Sequence, residues 1–570
     1  MVQAIPKTAP EALAPIPFNI PQPFQTTLAN GLRIVIFEDR RLPLISYRLA
    51  FMSGDIHDPE DSIGLTSAMS AMLSEGTENY SSLALAEKIE RLGASISASS
   101  SDDFTVIAGS ALALYNAEIL QLMSEMVFRP TFPADELDLY KRNTIENLKF
   151  QRSQPGFLAN EQTARLLYGD HPYSRVSPTA NDVEKLSSSA LSQFHGLRFI
   201  PNNAVFITVG DIDRDELLGE IGEYFGDWQQ GTAAESAFSA PPNRDIATLT
   251  IVDRPGSAQS NIVLGNIALN RNDPDYFAVL VMNQVLGAGA SSRIFMNLRE
   301  EKGYTYGAYT RIDAKKFAGD FEATAEVRTA VTGDSLKEFF YELNRIRDDK
   351  VMGDEIADAK NFLTGVFPIR AETQEGLTNL IVSQEIYNLP VDYLQTYRNE
   401  VNGITREDVQ RVAKKYVTPE NMAIVIVGDA EEILPQTKMY AENVEIFDTD
   451  GNQKELTDYG QISSEPVAMV AGNWALVLDF QGQELPVTLT LVQNGNAVTG
   501  ELSTMLGIGK ITSGKIIGKK ISAAATTEMQ GKTVEFVIAG SVDGDSMTGT
   551  ISAPIVPEPL PFSGMRADSA

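Results

Sequence analysis

The sequence predicts an α+β protein, with two similar sheet-and-helix domains in tandem followed by an antiparallel β meander that closes into a small barrel. Three observations predict it. Residues 182–211 can be laid over residues 400–429 without a gap. Both halves begin with two strand-like runs and then an apolar helix. Beyond about residue 469 the helical period disappears, and short alternating runs separated by turn residues take over.

The repeat is specific. Asp182-Val183 meets Glu400-Val401, Leu186-Ser187 meets Ile404-Thr405, and Leu191 meets Val409. Pro201 and Asn203 meet Pro419 and Asn421, and Val209-Gly210-Asp211 meets Val427-Gly428-Asp429. This spacing reads as a capped helix, a proline-fixed turn and a buried strand ended by Gly-Asp. In the first half, 32–37 and 44–52 read as strands and 62–73 as a helix. Asn30-Gly31 is the turn into the first of these strands. In the second half, 247–252 and 260–269 read as strands and 276–286 as a helix. The expected boundaries are a Pro/Ala-rich leader over 1–23, domains over 24–245 and 246–436, a polar linker over 437–468 and an all-β domain over 469–570. Within the last, strands are expected at 474–480, 487–492, 498–502, 515–522, 534–540 and 547–551, with Asn494-Gly495 and Asp543-Gly544 as hairpin turns. Trp474 near its start and Arg566 near its end resemble the pair that stacks across the closed end of lipocalin-like barrels.

Composition removes several function classes. The formal charge is −30, from 76 acidic and 46 basic residues, which disfavours nucleic acid and anionic membrane surfaces as partners. No apolar run approaches the ~18 residues a membrane span requires. Cysteine is absent, so disulfides, thiolate metal sites and thiol nucleophiles are all excluded. The three histidines, His57, His171 and His195, never stand four residues apart, which leaves no imidazole-rich metal site. His171 reads as a turn residue before Pro172-Tyr173, His57 as a solvated loop residue, and His195 as a core or surface position. The leader lacks a basic stretch followed by an apolar one and looks like what remains before a first strand once a signal is removed. Export to a bacterial periplasm is therefore the expectation, with the cytoplasm as the alternative.

Two segments carry the chemistry. The first runs Gly64-Leu65, an apolar helix, Met72-Leu73 and then Gly76-Thr77. Its frame is that of a helix bearing His-x-x-Glu-His, in which two imidazoles and a carboxylate share one face. Those three positions hold Ser67, Ser70 and Ala71. A hydroxymethyl is a poor zinc ligand and a methyl is none, so the helix cannot make a metal-bound hydroxide. The second segment is Gly287-Ala288-Gly289 leading to Arg293-Ile294-Phe295, then Leu298-Arg299-Glu300-Glu301-Lys302-Gly303-Tyr304-Thr305-Tyr306-Gly307. It lacks the Gly-Lys-Ser/Thr ending of a phosphate loop. It places an arginine on a helix and a tyrosine seven residues later on a strand.

Together the two segments resemble the M16 (pitrilysin, or insulinase-like) metallopeptidase family over roughly 24–435. The resemblance implies two homologous M16-type α/β-sandwich domains enclosing half of a chamber. It implies that Arg299 and Tyr306 are the pair that binds the peptide carbonyl at the scissile bond, where a guanidinium and a phenol can meet a developing oxyanion. It places the remaining metal ligand, a glutamate in the family, at Asn147, an amide. Glu146 is the neighbouring carboxylate, but one step along a helix turns a side chain by about 100°. With Ser67, Ser70, Ala71 and Asn147 at the four expected positions, no metal is expected on this chain. The resemblance is to the non-zinc subunit of two-chain (M16B-type) members. That implies no cofactor here, zinc on a partner M16 subunit in a heterodimer, and peptide as substrate. The alternative is an inert M16-fold scaffold in which Arg299 and Tyr306 are relics.

Overall fold

A computed structural model of the chain describes residues 18, 20–233, 237–459, 467–480, 483–504, 507–529, 532–552 and 559–567. Most of the expected leader and residues 460–466 of the expected linker lie outside the described residues.

Each half is built on one mixed sheet. In the first, the strands run in the order Phe24–Thr27, Arg33–Glu38, Ala204–Gly210, Leu44–Phe51, Thr105–Leu112, Ser95–Ser100. In the second, Gln453–Lys454 and Asn443–Phe447 lead, followed by Thr248–Asp253, Ala423–Gly428, Gln259–Ile267, Gly319–Arg328 and Thr305–Ala314. From the second strand of the first sheet and the third of the second onward, the two orders correspond strand for strand. The internal repeat is therefore a repeat of topology. Ser188–Arg198 and Arg406–Tyr416 are the matched helices, each capped by a residue (Ser187, Thr405) whose hydroxyl accepts a backbone N–H. The proline turns Pro201–Asn203 and Pro419–Asn421 follow, and then the fully buried strands.

One face of each sheet is covered by its own half's helices. Leu65–Met72, Asn116–Phe128 and Arg214–Phe225 cover the first, and Tyr276–Leu286, Thr332–Asp348 and Arg406–Tyr416 cover the second. The other face is covered by an exchange. Helix Gln374–Ile386 of the second half packs Leu377, Ile381 and Val382 onto Val35, Ala50, Val205 and Ile207 of the first sheet. Helix Pro155–Tyr168 of the first half packs Leu158 and Ala159 onto Val252, Val263, Val425 and Val427 of the second. Polar contacts follow the same seam. Arg33 pairs with Glu385 at 2.6 Å, Lys315 with Asp102 at 2.8 Å, and the Tyr168 hydroxyl donates to Asp320 at 2.6 Å. Burial and the neighbouring Glu322 raise the Asp320 carboxyl to about 7.

The structure corrects two expectations of chain organisation. Residues 437–468 are not a plain linker, because Asn443–Phe447 pairs in parallel with Thr248–Asp253 and extends the second sheet. Its sequence, one buried Ile446 among polar residues, carries too weak a period to announce an edge strand. In the C-terminal domain the run 515–522 is two strands, not one. Gly507–Ile517 and Lys520–Met529 meet at a turn in which Gly518 takes φ +56°. With Leu560–Arg566 also present, the meander is a closed antiparallel barrel of eight strands. Side chains fill it, among them Leu476, Leu489, Ile516, Ile538 and Met547. The indole of Trp474 donates to the Val470 carbonyl at 2.9 Å, and the Arg566 guanidinium lies 4.5 Å from its ring centre. Lys515 docks the barrel onto the second half, with Nζ 3.1 Å from Asp429 and 3.2 Å from Glu432. No helix among the described residues is long and apolar enough to cross a membrane.

The exchange makes a prediction. Ile381→Ala, at a fully buried site, is expected to cost about 2–5 kcal/mol in chemical denaturation. Amide hydrogen exchange is also expected to quicken in strand Ala204–Gly210 of the opposite half. Faster exchange confined to helix Gln374–Ile386 would show that the halves do not fold as one body.

Candidate functional site

Of the four expected metal positions, the structure brings two together. Helix Leu65–Met72 starts at Gly64, which takes φ +89°, and Asp58 caps it by accepting from the N–H groups of Gly64 (2.7 Å) and Thr66 (2.8 Å). Ser67 of this helix and Asn147 of helix Ala134–Arg152 line one cavity of about 290 Å³, with Asp55, Asp102, Tyr140 and Arg175. The other two positions turn elsewhere. Ser70 is buried and its hydroxyl donates to the Thr66 carbonyl one turn back, at 2.8 Å, while Ala71 has no donor atom. Glu146 points away, as one step of helix rotation demands, and pairs with Lys149 at 2.7 Å.

These residues do not fit a zinc ion. The Ser67 hydroxyl is already engaged, 3.2 Å from both oxygens of Asp55 and 2.9 Å from the Ser100 hydroxyl. Ser100, at the end of the edge strand, donates to Asp55 at 2.7 Å. Hard carboxylate and hydroxyl oxygens have replaced imidazoles, and the donors that remain satisfy one another. Among the described residues no group of three or more His, Asp or Glu side chains could hold a metal. Sequence reading missed Asp55, Asp58 and Ser100, which lie on the preceding loop and on a strand that only the folded sheet brings alongside. The Ser-rich end of that strand, before Asp102-Asp103, was the one available signal.

The histidines are structural. His171 accepts from the Tyr173 N–H at 3.1 Å, as a turn residue. His57, expected to be solvated, is instead half-buried: it accepts from the Gly54 N–H at 3.1 Å and lies edge-on to Phe238. His195 packs between Phe132 and Phe199. Burial pushes both His57 and His195 down to about 4, so both are neutral at pH 7.

Arg299 and Tyr306 lie on the other half, outside that cavity, and each sits on a backbone irregularity. Residues Met296–Glu301 are wound as a π-helix, a geometry that is rare and frequent at functional sites. Buried Ile294 and Leu298 fix this segment from beneath. Arg293 makes a bidentate pair with Glu355 at 2.7 and 2.8 Å, and the Asn297 amide donates to Glu338 (3.1 Å) and Glu342 (3.0 Å). The backbone then turns at Gly303 (φ +63°) into the edge strand Thr305–Ala314. There Ala308 faces Ala325 and Thr305 faces Val327, so Tyr306 and Gly307 together oppose Glu326 alone. That is a β-bulge, which re-aims a side chain. Tyr306 is 91% exposed, the most exposed of the large hydrophobic side chains described, and Arg299 is 44% exposed beside a loose 3.6 Å contact with Glu300. Gly287 passes so close to Thr310 that an added Cβ would stand 2.5 Å from its backbone nitrogen.

Two family models match the chain: insulinase (peptidase family M16) over residues 33–175, and peptidase M16 inactive domain over residues 185–363. The chain belongs to the M16 peptidase family. It is 22% identical to an uncharacterized zinc protease of Bacillus subtilis over 70% of this chain and 97% of that protein. It is 23% identical to a non-peptidase homolog of Helicobacter pylori over 70% of this chain and 92% of that protein. Among solved structures, a peptidase M16 inactive domain from Pseudomonas fluorescens superposes with a TM-score of 0.68 at 27% identity, covering 71% of this chain and 98% of that one. In this chain the Ser67 hydroxyl is taken up by Asp55 and Ser100.

The Asp55 network carries a pH signature. Burial, opposed by the Ser100 hydrogen bond, raises the Asp55 carboxyl from 3.8 to about 6. A raised folded-state value means that ionising Asp55 opposes folding, so its contribution to stability is lost as pH rises from about 4 to about 6. The neutral histidines act in the opposite sense over the same window. The comparison with Asp55→Asn isolates the carboxyl: relative to the variant, the parent chain is expected to lose on the order of 2 kcal/mol between pH 4 and 6.5. Denaturation curves that shift in parallel for both proteins across that range would show that Asp55 is not held protonated.

Proposed function

We propose that this protein is the zinc-less subunit of a two-chain M16-type peptidase. In this reading it presents Arg299 and Tyr306 to peptides held at a zinc ion borne by a His-x-x-Glu-His partner subunit. The observation that carries the reading is the contrast between the two halves. In the first half the hydroxyls of Ser67 and Ser70 are taken up by internal hydrogen bonds and Ala71 offers no ligand atom. The second keeps a guanidinium and a phenol exposed on a π-turn and a bulge. A phenol O–H and a guanidinium N–H aimed at the same peptide carbonyl stabilise the oxyanion as it forms, and their geometry is set before substrate arrives. Export of both chains to a bacterial periplasm goes with this proposal.

The second reading, an M16-fold scaffold that cleaves nothing, is favoured by the non-peptidase name of the Helicobacter relative. The two part on one experiment. The chain is purified with the M16 subunit encoded beside it, zinc is measured on each, and peptide hydrolysis is assayed. Expected are zinc on the partner alone, and a fall in turnover of about 10²-fold for Tyr306→Phe and Arg299→Ala with assembly intact. Unchanged turnover in both variants, or a chain that forms no complex with a zinc-bearing partner, would reject the proposal in favour of the scaffold.

A further inference from the structure

Arg299 is exposed, long and flexible, and its contact with Glu300 at 3.6 Å between two half-exposed side chains is too weak to fix it. Yet a donor that stabilises an oxyanion must be held in place beforehand. Its guanidinium carbon lies 4.8 Å from the centre of the Phe295 ring, one helical turn back. Phe295 is buried, and its ring meets that of Tyr309 at 5.6 Å with a 50° tilt. Tyr309 is on the same edge strand as Tyr306, just past the bulge. It leans back over Gly307: a Cβ on that glycine would stand 2.6 Å from the Tyr309 ring and 2.8 Å from its hydroxyl oxygen. No other residue type at 307 leaves Tyr309 where it is.

We propose that Phe295 and Tyr309 are positioning residues, a two-ring stack that holds the Arg299 guanidinium over an aromatic face, and that Gly307 is the vacancy that lets the stack form. The stack joins the π-turn to the bulged strand. It therefore sets Arg299 relative to Tyr306, and a displacement of either backbone irregularity moves both donors together. Its place in peptide cleavage rests on the function proposed above, but its existence does not.

The test has two arms. In the full chain labelled with 15N-arginine, the Arg299 Nε–H resonance is assigned by its loss in Arg299→Lys. A proton above a ring face is shifted upfield. That shift is expected to collapse in Phe295→Leu, persist in Phe295→Tyr, and diminish in Tyr309→Ala and Gly307→Ala. An unshifted resonance in the parent chain, or one indifferent to Phe295→Leu, overturns the stack. In the complex with the zinc subunit, Phe295→Leu is expected to lower kcat about three- to fivefold with KM unchanged, the size of a half-exposed cation–π contact. Phe295→Tyr is expected to restore it, and Phe295→Leu to add nothing to Arg299→Ala. Full turnover in Phe295→Leu where Arg299→Ala is crippled overturns the positioning role. Full turnover in both, with the shift intact, supports the stack and rejects the peptidase reading instead.

Discussion

Two twisted mixed sheets, each with one face left bare by its own helices, would be insoluble as separate units. Exchange of helices Pro155–Tyr168 and Gln374–Ile386 resolves this, since each half roofs the other's open face with Leu, Ile and Val. The arrangement couples the halves, because each supplies a helix to the other's core. Everything functional is positioned by it. Asp102 and Lys315 pair across the seam, and Ser100, at the end of the strand just before Asp102, donates to Asp55 beside Ser67. The edge strand that carries Tyr306 begins ten residues before Lys315 and is pinned by the same contact.

The cavity beside Ser67 and Asn147 is lined by polar groups that hydrogen-bond to one another. A buried carboxylate with no cation beside it is costly unless hydroxyls or backbone N–H groups donate to it. Here Ser67 and Ser100 supply hydroxyl donors, and Asp58 is consumed as a helix cap. Asp55 is left partly protonated near neutral pH because its two donors do not fully offset burial. The segment that carries Arg299 is held differently. Its irregular backbone is anchored by the Arg293–Glu355 pair and by Asn297, which is more support than an idle surface loop requires.

Much of the fold was legible in the sequence, because a duplicated chain states each element twice. The strand–helix run through Pro201 and Pro419 could be placed almost to the residue. Helix Tyr276–Leu286 was legible for another reason, an apolar run bounded by Asp275 and Gly287. Legibility failed where burial is one-sided or short. The strand Asn443–Phe447 buries only Ile446 fully, and the turn at Gly518 interrupts a run of β-forming residues with no Asn-Gly or Asp-Gly to mark it. For the site, residue identity singled out Ser67 and Asn147, which the fold brings to one cavity, and Arg299 and Tyr306, which it leaves exposed. It was not enough to see Asp55 and Ser100 meet Ser67, or the π-turn and the bulge, because these depend on register between strands far apart in the chain. Helical exchange between halves was beyond reach for the same reason.

The barrel is closed by its last strand. Leu560–Arg566 pairs on one side with Ser546–Ser552 and on the other with Gly472–Phe480, and Arg566 reaches the carbonyls of Met469 and Ala471. Seven strands without the eighth would expose two open edges at once. The strands from Gly472 to Ser552 therefore keep open edges until Leu560–Arg566 is in place, and loss of that one strand would spare the M16 body while turning the appendage beside it into an aggregation seed.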